Sequence, residues 1–114
     1  TQSYRAPFEL LFGAADRDDP SWPVVQRLAA EFPQVDIRAF HSTASAPNAK
    51  VAVLEDLARE ARYPLLLVAD SDILVPPGYL EQVTAPLHDP GNALVTTLYR
   101  ARGASLAARW EALG

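Results

Sequence analysis

The chain has 114 residues, of which 49% are hydrophobic and 21% are charged, a composition typical of one globular domain. The formal net charge is -4 and no basic run occurs, which argues against a nucleic-acid partner, since phosphates require clustered Lys and Arg. Cysteine is absent, which excludes disulfides and thiolate metal sites, and no apolar run reaches the length of a membrane span. Because the chain begins with Thr1 rather than methionine, we interpret it as a piece of a longer protein.

Apolar runs alternate with helix-period segments along the chain. The first half predicts strands over residues 8–15 and 35–40, a helix between Pro20 and Pro33, and a helix that begins near Pro47 and stops at Tyr63. The second half predicts a strand over residues 65–69, a short helix opened by residues 76–78, a turn over 89–92, a strand over 93–99 and a last helix capped by Ser105. This alternation predicts an α/β fold with a mostly parallel sheet and helices on both faces, formed by residues 1–114 as a single domain.

Acidic side chains follow two of the predicted strands. Asp16, Asp18 and Asp19 come after the first strand, and Asp70 and Asp72 come after the third. Because parallel strands end at the same edge of a sheet, we expect up to five carboxylates in one neighbourhood at the edge where α/β proteins bind ligands. Their mutual repulsion would cost stability unless a cation or hydrogen-bond donors compensate.

The spacing of Asp70 and Asp72 predicts a metal site. In an extended segment, residues two apart point the same way, so both carboxylates can face one ion. Oxygen-only ligands suit Mg²⁺ or Mn²⁺, and such an ion can bridge to a diphosphate. The alternative is that these acids only cap the following turn, which is the better interpretation for Asp18 and for Asp19, the residue before Pro20.

Lys50 is the other candidate binding residue. It lies in the first turn of the second predicted helix, after Asn48, where a basic side chain could reach a diphosphate. The residue pattern leaves open that Lys50 is an ordinary surface lysine. No phosphate-binding glycine loop and no nucleophile elbow occur in the sequence.

Several blocks of residues together resemble the ceramide glucosyltransferase family, especially its bacterial, hopanoid-biosynthesis-type relatives. The resemblance runs over nearly the whole chain, and only the blocks taken together are specific. They are residues 8–13 with Ala15, Asp16 and 18–20; residues 47–51 with Leu54; residues 67–73 with Val75, Pro76, Tyr79 and Leu80; and Pro86, Leu87, Asp89, Pro90, Val95, Thr96 and 98–100.

The resemblance implies a partial GT-A (Rossmann-like) fold and inverting transfer of a hexose from a UDP-sugar to a lipid hydroxyl. By the same resemblance, Asp16 contacts the base or ribose of the nucleotide, and Asp70 and Asp72 hold the divalent cation, Mg²⁺ or Mn²⁺, and the diphosphate. Asn48 and Lys50 correspond to an Asn-Pro-Lys block near the nucleotide. The family usually has Pro where Ala49 stands, and Asn where Ala52-Val53 follows.

Other parts of the family pattern are missing from this chain. The resemblance implies a first nucleotide-binding strand before this region, and a general-base Asp and a Gln-x-x-Arg-Trp motif after it. It also implies membrane segments elsewhere and a catalytic domain on the cytoplasmic side. Arg109-Trp110 does not correspond to the motif, because Leu106 stands where Gln is required. We therefore expect donor-side residues only, no catalytic residue, and no turnover from this chain alone.

Three alternatives remain open on the residues alone. A phosphohydrolase would use Asp70 as nucleophile and Asp72 as acid/base, although Leu74 stands where that class usually has Thr. A receiver-like signalling module would gather acids around Mg²⁺ with Thr96 or Thr97, although no Lys follows Lys50. A non-catalytic piece could instead dimerise through an unpaired sheet edge, with contacts from Phe8, Leu10 and Phe12.

Overall fold

The computed structural model describes residues 2–45, 47–70 and 72–98. It divides into two compact units, one formed by Ala6–Ile73 and the other by Thr1–Arg5 with Leu74–Gly114. The expectation of one domain over residues 1–114 stays a prediction.

The first unit contains the sheet. Strands β1 (Glu9–Ala14) and β2 (Asp36–His41) pair in parallel, with Glu9 opposite Asp36 and Ala14 opposite His41. Helix α1 (Ser21–Glu31) connects them and packs on β2, and helix α2 (Ala49–Glu60) follows and packs on β1. The predicted β-α-β-α order and the parallel direction of the sheet are therefore confirmed for this part of the chain.

Local sequence signals set the ends of the two helices. Asp19 accepts a hydrogen bond from the Ser21 backbone N–H through Oδ1 at 2.8 Å, and α1 ends before Pro33. Hydrogen bonding from the Ser21 side chain and, second, from its backbone N–H lowers the pKa of Asp19. The capping role predicted for Asp19 is thus confirmed, and the first turn of α1 has an acceptor for an otherwise unpaired N–H.

An ion cluster joins three elements at the beginning of the sheet. The Glu9 side chain, only 6% exposed, accepts hydrogen bonds from the Arg62 backbone N–H at 2.7 Å and from Arg38 Nη2 at 2.5 Å. Arg38 also donates to the carbonyl of Glu60 at 2.9 Å, and Arg62 pairs with Asp36 at 2.7 Å. These bonds connect β1, β2 and the end of α2. They hold the chain that leaves α2 beside the beginning of β1.

The second unit is built around helix α3 (Tyr79–Thr84), which continues into a 3-10 helix over Ala85–His88. The Gln2 side chain donates to the Pro76 carbonyl at 2.9 Å and accepts from the Leu80 N–H at 3.0 Å. Asp89 accepts from the Gly91 N–H at 2.9 Å and closes a turn. The short helix and the turn predicted from the sequence are confirmed.

Two predicted strands are wrong in the described residues. Residues 65–69 are not a strand, and their side chains lie exposed, from 48% at Leu65 to 60% at Val68. Residues 93–98 likewise form no strand. A segment that is apolar on both faces becomes a strand only where neighbouring strands pair with it and other elements cover it. The sheet of the described residues contains β1 and β2 only.

The helix predicted after Ser105 lies outside the described residues. Of the helices that are described, none combines the length and the apolar character that a membrane span needs.

Candidate functional site

The loops after β1 and β2 leave the sheet at the same edge. Ala14 is opposite His41 in the parallel register, so the two strands end together. His41 Nε2 lies 3.0 Å from the Ala15 carbonyl and ties the two loop beginnings to each other. Helix α2 begins after the second of these loops, which places its first turn at the edge of the sheet where α/β folds bind ligands.

Asn48 fixes the first turn of α2. Its side-chain oxygen accepts hydrogen bonds from the Lys50 N–H at 3.1 Å and the Val51 N–H at 3.3 Å. This is an N-cap, which satisfies two backbone donors that a helix start leaves unpaired. Asn48 therefore positions Lys50 through the backbone, and direct contact of Asn48 with a nucleotide stays a prediction.

Lys50 and Asp70 form an ion pair across this edge. The ammonium of Lys50 donates to Oδ1 of Asp70, with the two side chains 62% and 50% exposed. The hydrogen bond to Asp70 raises the pKa of Lys50, the charge of Asp70 adds to this, and the charge of Asp72 contributes further. The structure thus brings Lys50 into contact with Asp70, and the charge of Asp72 reaches the same ammonium.

Two carboxylates, those of Asp70 and Asp72, are the ligands that the predicted metal site offers. The Lys50 ammonium lies against Asp70, and the charge of Asp72 also raises the pKa of Lys50. Mg²⁺ is commonly held by one or two carboxylates, with water and substrate phosphates filling the other positions. Asp70 and Asp72 are the residues that would hold such an ion.

The acids after β1 do not join this pair. In the part of the chain that the structure describes, no group of three or more His, Cys, Asp or Glu side chains is arranged to hold a metal ion. Within those residues the acids after β1 therefore add no third ligand to Asp70 and Asp72, and the expected neighbourhood of up to five carboxylates stays a prediction. Asp18 and Asp19 follow β1 in a tight turn that leads into α1, where Asp19 serves as a cap.

Asp16 is held within its own loop. Its Oδ1 accepts the Asp18 N–H at 2.9 Å, and its backbone carbonyl accepts the Trp22 indole N–H at 3.0 Å. Trp22 thus has a hydrogen-bond partner in the loop that leads into α1. One carboxylate oxygen of Asp16 serves the turn, and a contact of Asp16 with a nucleotide base or ribose stays a prediction.

A family model identifies the chain. The model for glycosyl transferase family 21 matches residues 1–114, the whole chain. The chain belongs to glycosyl transferase family 21. The resemblance to ceramide glucosyltransferases stated from the sequence is thereby confirmed.

Three relatives of this family 21 chain are named as ceramide glucosyltransferases. It is 35% identical to ceramide glucosyltransferase 3 of Caenorhabditis elegans over 91 residues, which are 78% of this chain and 20% of that protein. It is 33% identical to ceramide glucosyltransferase 1 of the same nematode over 100 residues, 86% of this chain and 21% of that protein. A ceramide glucosyltransferase of Candida albicans is 33% identical over 84 residues, 63% of this chain and 15% of that protein.

The family 21 chain spans about a fifth of the length of the nematode relatives. No solved structure matches it significantly. The activity, the substrates and the partners of the whole protein are therefore matters for proposal.

Sequence reasoning missed one residue pair that shapes the site. Ser42 is 5% exposed in the loop between β2 and α2, and its hydroxyl donates to Asp56 Oδ2 at 2.5 Å. The Ser42 N–H also donates to the Ala14 carbonyl at 2.9 Å, which extends the pairing of the two strands by one residue. In the sequence, residues 41–46 show only a small, polar composition. Nothing there indicates the hydrogen bond of Ser42, because its partner Asp56 lies 14 positions further along the chain.

Proposed function

We propose that this chain supplies the donor side of a glycosyltransferase that moves a hexose from a UDP-sugar to a lipid hydroxyl with inversion. Membership of family 21 and the names of the curated relatives support a transferase that makes glycolipids. The ion pair between Lys50 and Asp70 supports the assignment of the donor site, because it brings a basic side chain against the first aspartate of the predicted acidic motif.

Each residue of the proposed site has a separate task. Asp70 and Asp72 would hold Mg²⁺ or Mn²⁺, and the ion would supply positive charge to compensate the nucleotide diphosphate as a leaving group. Lys50 offers an ammonium to the diphosphate, and Asn48 holds the first turn of α2 in place through its cap. Asp16, at the end of β1, contacts the base or ribose.

The acceptor side belongs to other parts of the protein. We expect the general base, the lipid-binding surface and the membrane segments outside this chain, and a cytoplasmic catalytic domain in the membrane-bound parent. The expected GT-A fold would be completed by further strands of the same protein. The net charge of -4 continues to argue against a nucleic-acid partner. The family match favours the transferase over the phosphohydrolase and the receiver-like module.

Nucleotide selectivity tests the proposed function. UDP, a UDP-hexose and GDP are titrated calorimetrically into the protein with and without Mn²⁺. We expect both uridine nucleotides to bind more tightly when Mn²⁺ is present, GDP to bind less tightly than UDP, and no sugar to be transferred by this chain alone. Equal binding of the nucleotides, or binding that is indifferent to Mn²⁺, would refute a metal-dependent UDP-sugar site.

A further inference from the structure

Asp70 has two candidate cationic partners, the ammonium of Lys50 and a divalent ion. In the structure, Asp70 Oδ1 accepts the Lys50 ammonium, and in the proposed function Asp70 and Asp72 hold a divalent ion. Asp72 acts on Lys50 as well, which places the ammonium in the field of both carboxylates. The two cations therefore compete for the same position.

The backbone of Lys50 is fixed while its side chain can move. The Asn48 cap holds the first turn of α2, and α2 packs directly on β1 at Gly13. The Lys50 side chain is 62% exposed and Asp70 is 50% exposed. An ion pair at this level of exposure contributes little, so a divalent ion can displace the ammonium.

We propose that Lys50 is a placeholder, whose ammonium occupies the cation position at Asp70 and Asp72 until a divalent ion displaces it and which then pairs with the donor diphosphate. This inference rests on the proposed function, because it takes Asp70 and Asp72 as the ion ligands. Without nucleotide, the displaced ammonium and the ion repel each other. With nucleotide, the negative charge of the diphosphate would compensate both cations. Lys50 thereby couples binding of the ion to binding of the nucleotide.

The placeholder role of Lys50 is tested by measuring the affinities for Mn²⁺ and for UDP, because removal of the ammonium should change them in opposite directions. Binding of Mn²⁺ is measured by electron paramagnetic resonance, with and without UDP, for the unaltered protein and for Lys50→Met. We expect Lys50→Met to bind Mn²⁺ alone about two- to fivefold more tightly, since the competing ion pair is gone. We expect the same variant to bind UDP in the presence of Mn²⁺ about tenfold more weakly, since a charged hydrogen bond is lost.

Arg59→Met is the matched control. It removes one positive charge from the same helix, at a side chain that is 69% exposed and pairs with Asp56 at 2.9 Å. We expect it to change neither affinity by more than about twofold, since nine helical residues place it roughly 13 Å along α2 from Lys50, where exposed charges are screened.

The outcomes separate the placeholder from the function on which it rests. If Mn²⁺ alone binds Lys50→Met no more tightly than the unaltered protein, while Asp72→Asn abolishes binding, the metal site stands and the placeholder is wrong. If Asp72→Asn leaves binding of Mn²⁺ and UDP intact, or if the unaltered protein binds neither, both ideas are overturned.

Discussion

At the scale of the residue, Gly13 shows how closely α2 lies on the sheet. A Cβ built on Gly13 would come within 2.7 Å of Val53 Cγ1 and 3.2 Å of both methyl groups of Leu57. No glycine of the described residues has a positive φ, so conformational freedom is not the reason for glycine here. The reason is space, and this close approach sets the position of α2 and therefore of Lys50.

Gly13→Ala should destabilise the protein by about 1–3 kcal/mol, as overpacking of a filled contact does. The loss of backbone freedom in the unfolded chain acts the other way but contributes only about 0.4–1 kcal/mol. Urea unfolding followed by circular dichroism measures the difference. Gly78→Ala is the control, because the nearest atom to its added Cβ would be Gln82 Nε2 at 3.8 Å. Equal stabilities of the two variants would show that α2 does not press on Gly13.

At the scale of the element, the helices could be predicted from the sequence, whereas the strand predicted over residues 65–69 does not form. The Asp19 cap, the proline that follows α1 and the apolar face of α2 are local signals, and each produced a helix where it was expected. Residues 65–69 have a strand-like composition, but pairing depends on a partner that is distant in the sequence. The same distance hid the contact of Ser42 with Asp56 and the ion pair of Lys50 with Asp70, although Lys50 and Asp70 had each been singled out as candidate site residues.

Asn48→Ala should cost about 0.5–2 kcal/mol of stability through loss of the α2 cap. Asn48→Ser, which keeps an acceptor oxygen but lacks the amide group, should retain most of that stability. Thermal unfolding gives both values, and titration with UDP and Mn²⁺ gives the corresponding affinities. If the serine variant keeps its stability but loses nucleotide binding, Asn48 contacts the nucleotide directly rather than only capping α2.

At the scale of the whole molecule, apolar surface outweighs buried core. Within the described residues, the hydrophobic side chains that count as buried are Val25, Ala52 and Val83, whereas twelve large ones are exposed, Leu66 and Leu94 among them. The order of elements at the start of the chain followed from the sequence, because alternation and crossover rules are general. The number of strands could not be predicted in the same way, because an apolar segment becomes a strand only where other elements pair with it and cover it.

Acidification should lower the stability of the first unit, because protonation removes the charge of Glu9. Hydrogen bonding to the Arg62 N–H, with added bonding and charge from Arg38, holds the pKa of Glu9 below its usual value of 4.5 despite opposing desolvation. The unfolded chain then binds the proton more readily, so this stabilisation is present above pH 4.5 and is lost as pH falls through the lowered pKa.

Glu9→Gln should therefore be less stable than the unaltered protein at neutral pH and should lose less stability on acidification. Urea midpoints measured from neutral pH down to about pH 3 test this. Glu55→Gln, which changes an exposed carboxylate of α2, should leave the pH profile unchanged. Parallel profiles for Glu9→Gln and the unaltered protein would assign the acid sensitivity to other groups.

The most direct test of the central claim is the Mn²⁺-dependent affinity for UDP in Asp72→Asn, compared with Asp18→Asn as the control from the other acidic turn. The asparagine removes one charge and keeps the size of the side chain, so stability should change little. We predict that Asp72→Asn loses the Mn²⁺-dependent part of UDP binding and that Asp18→Asn keeps it. Loss of binding in Asp18→Asn with full binding in Asp72→Asn would contradict the assignment of Asp70 and Asp72 as the donor and metal site.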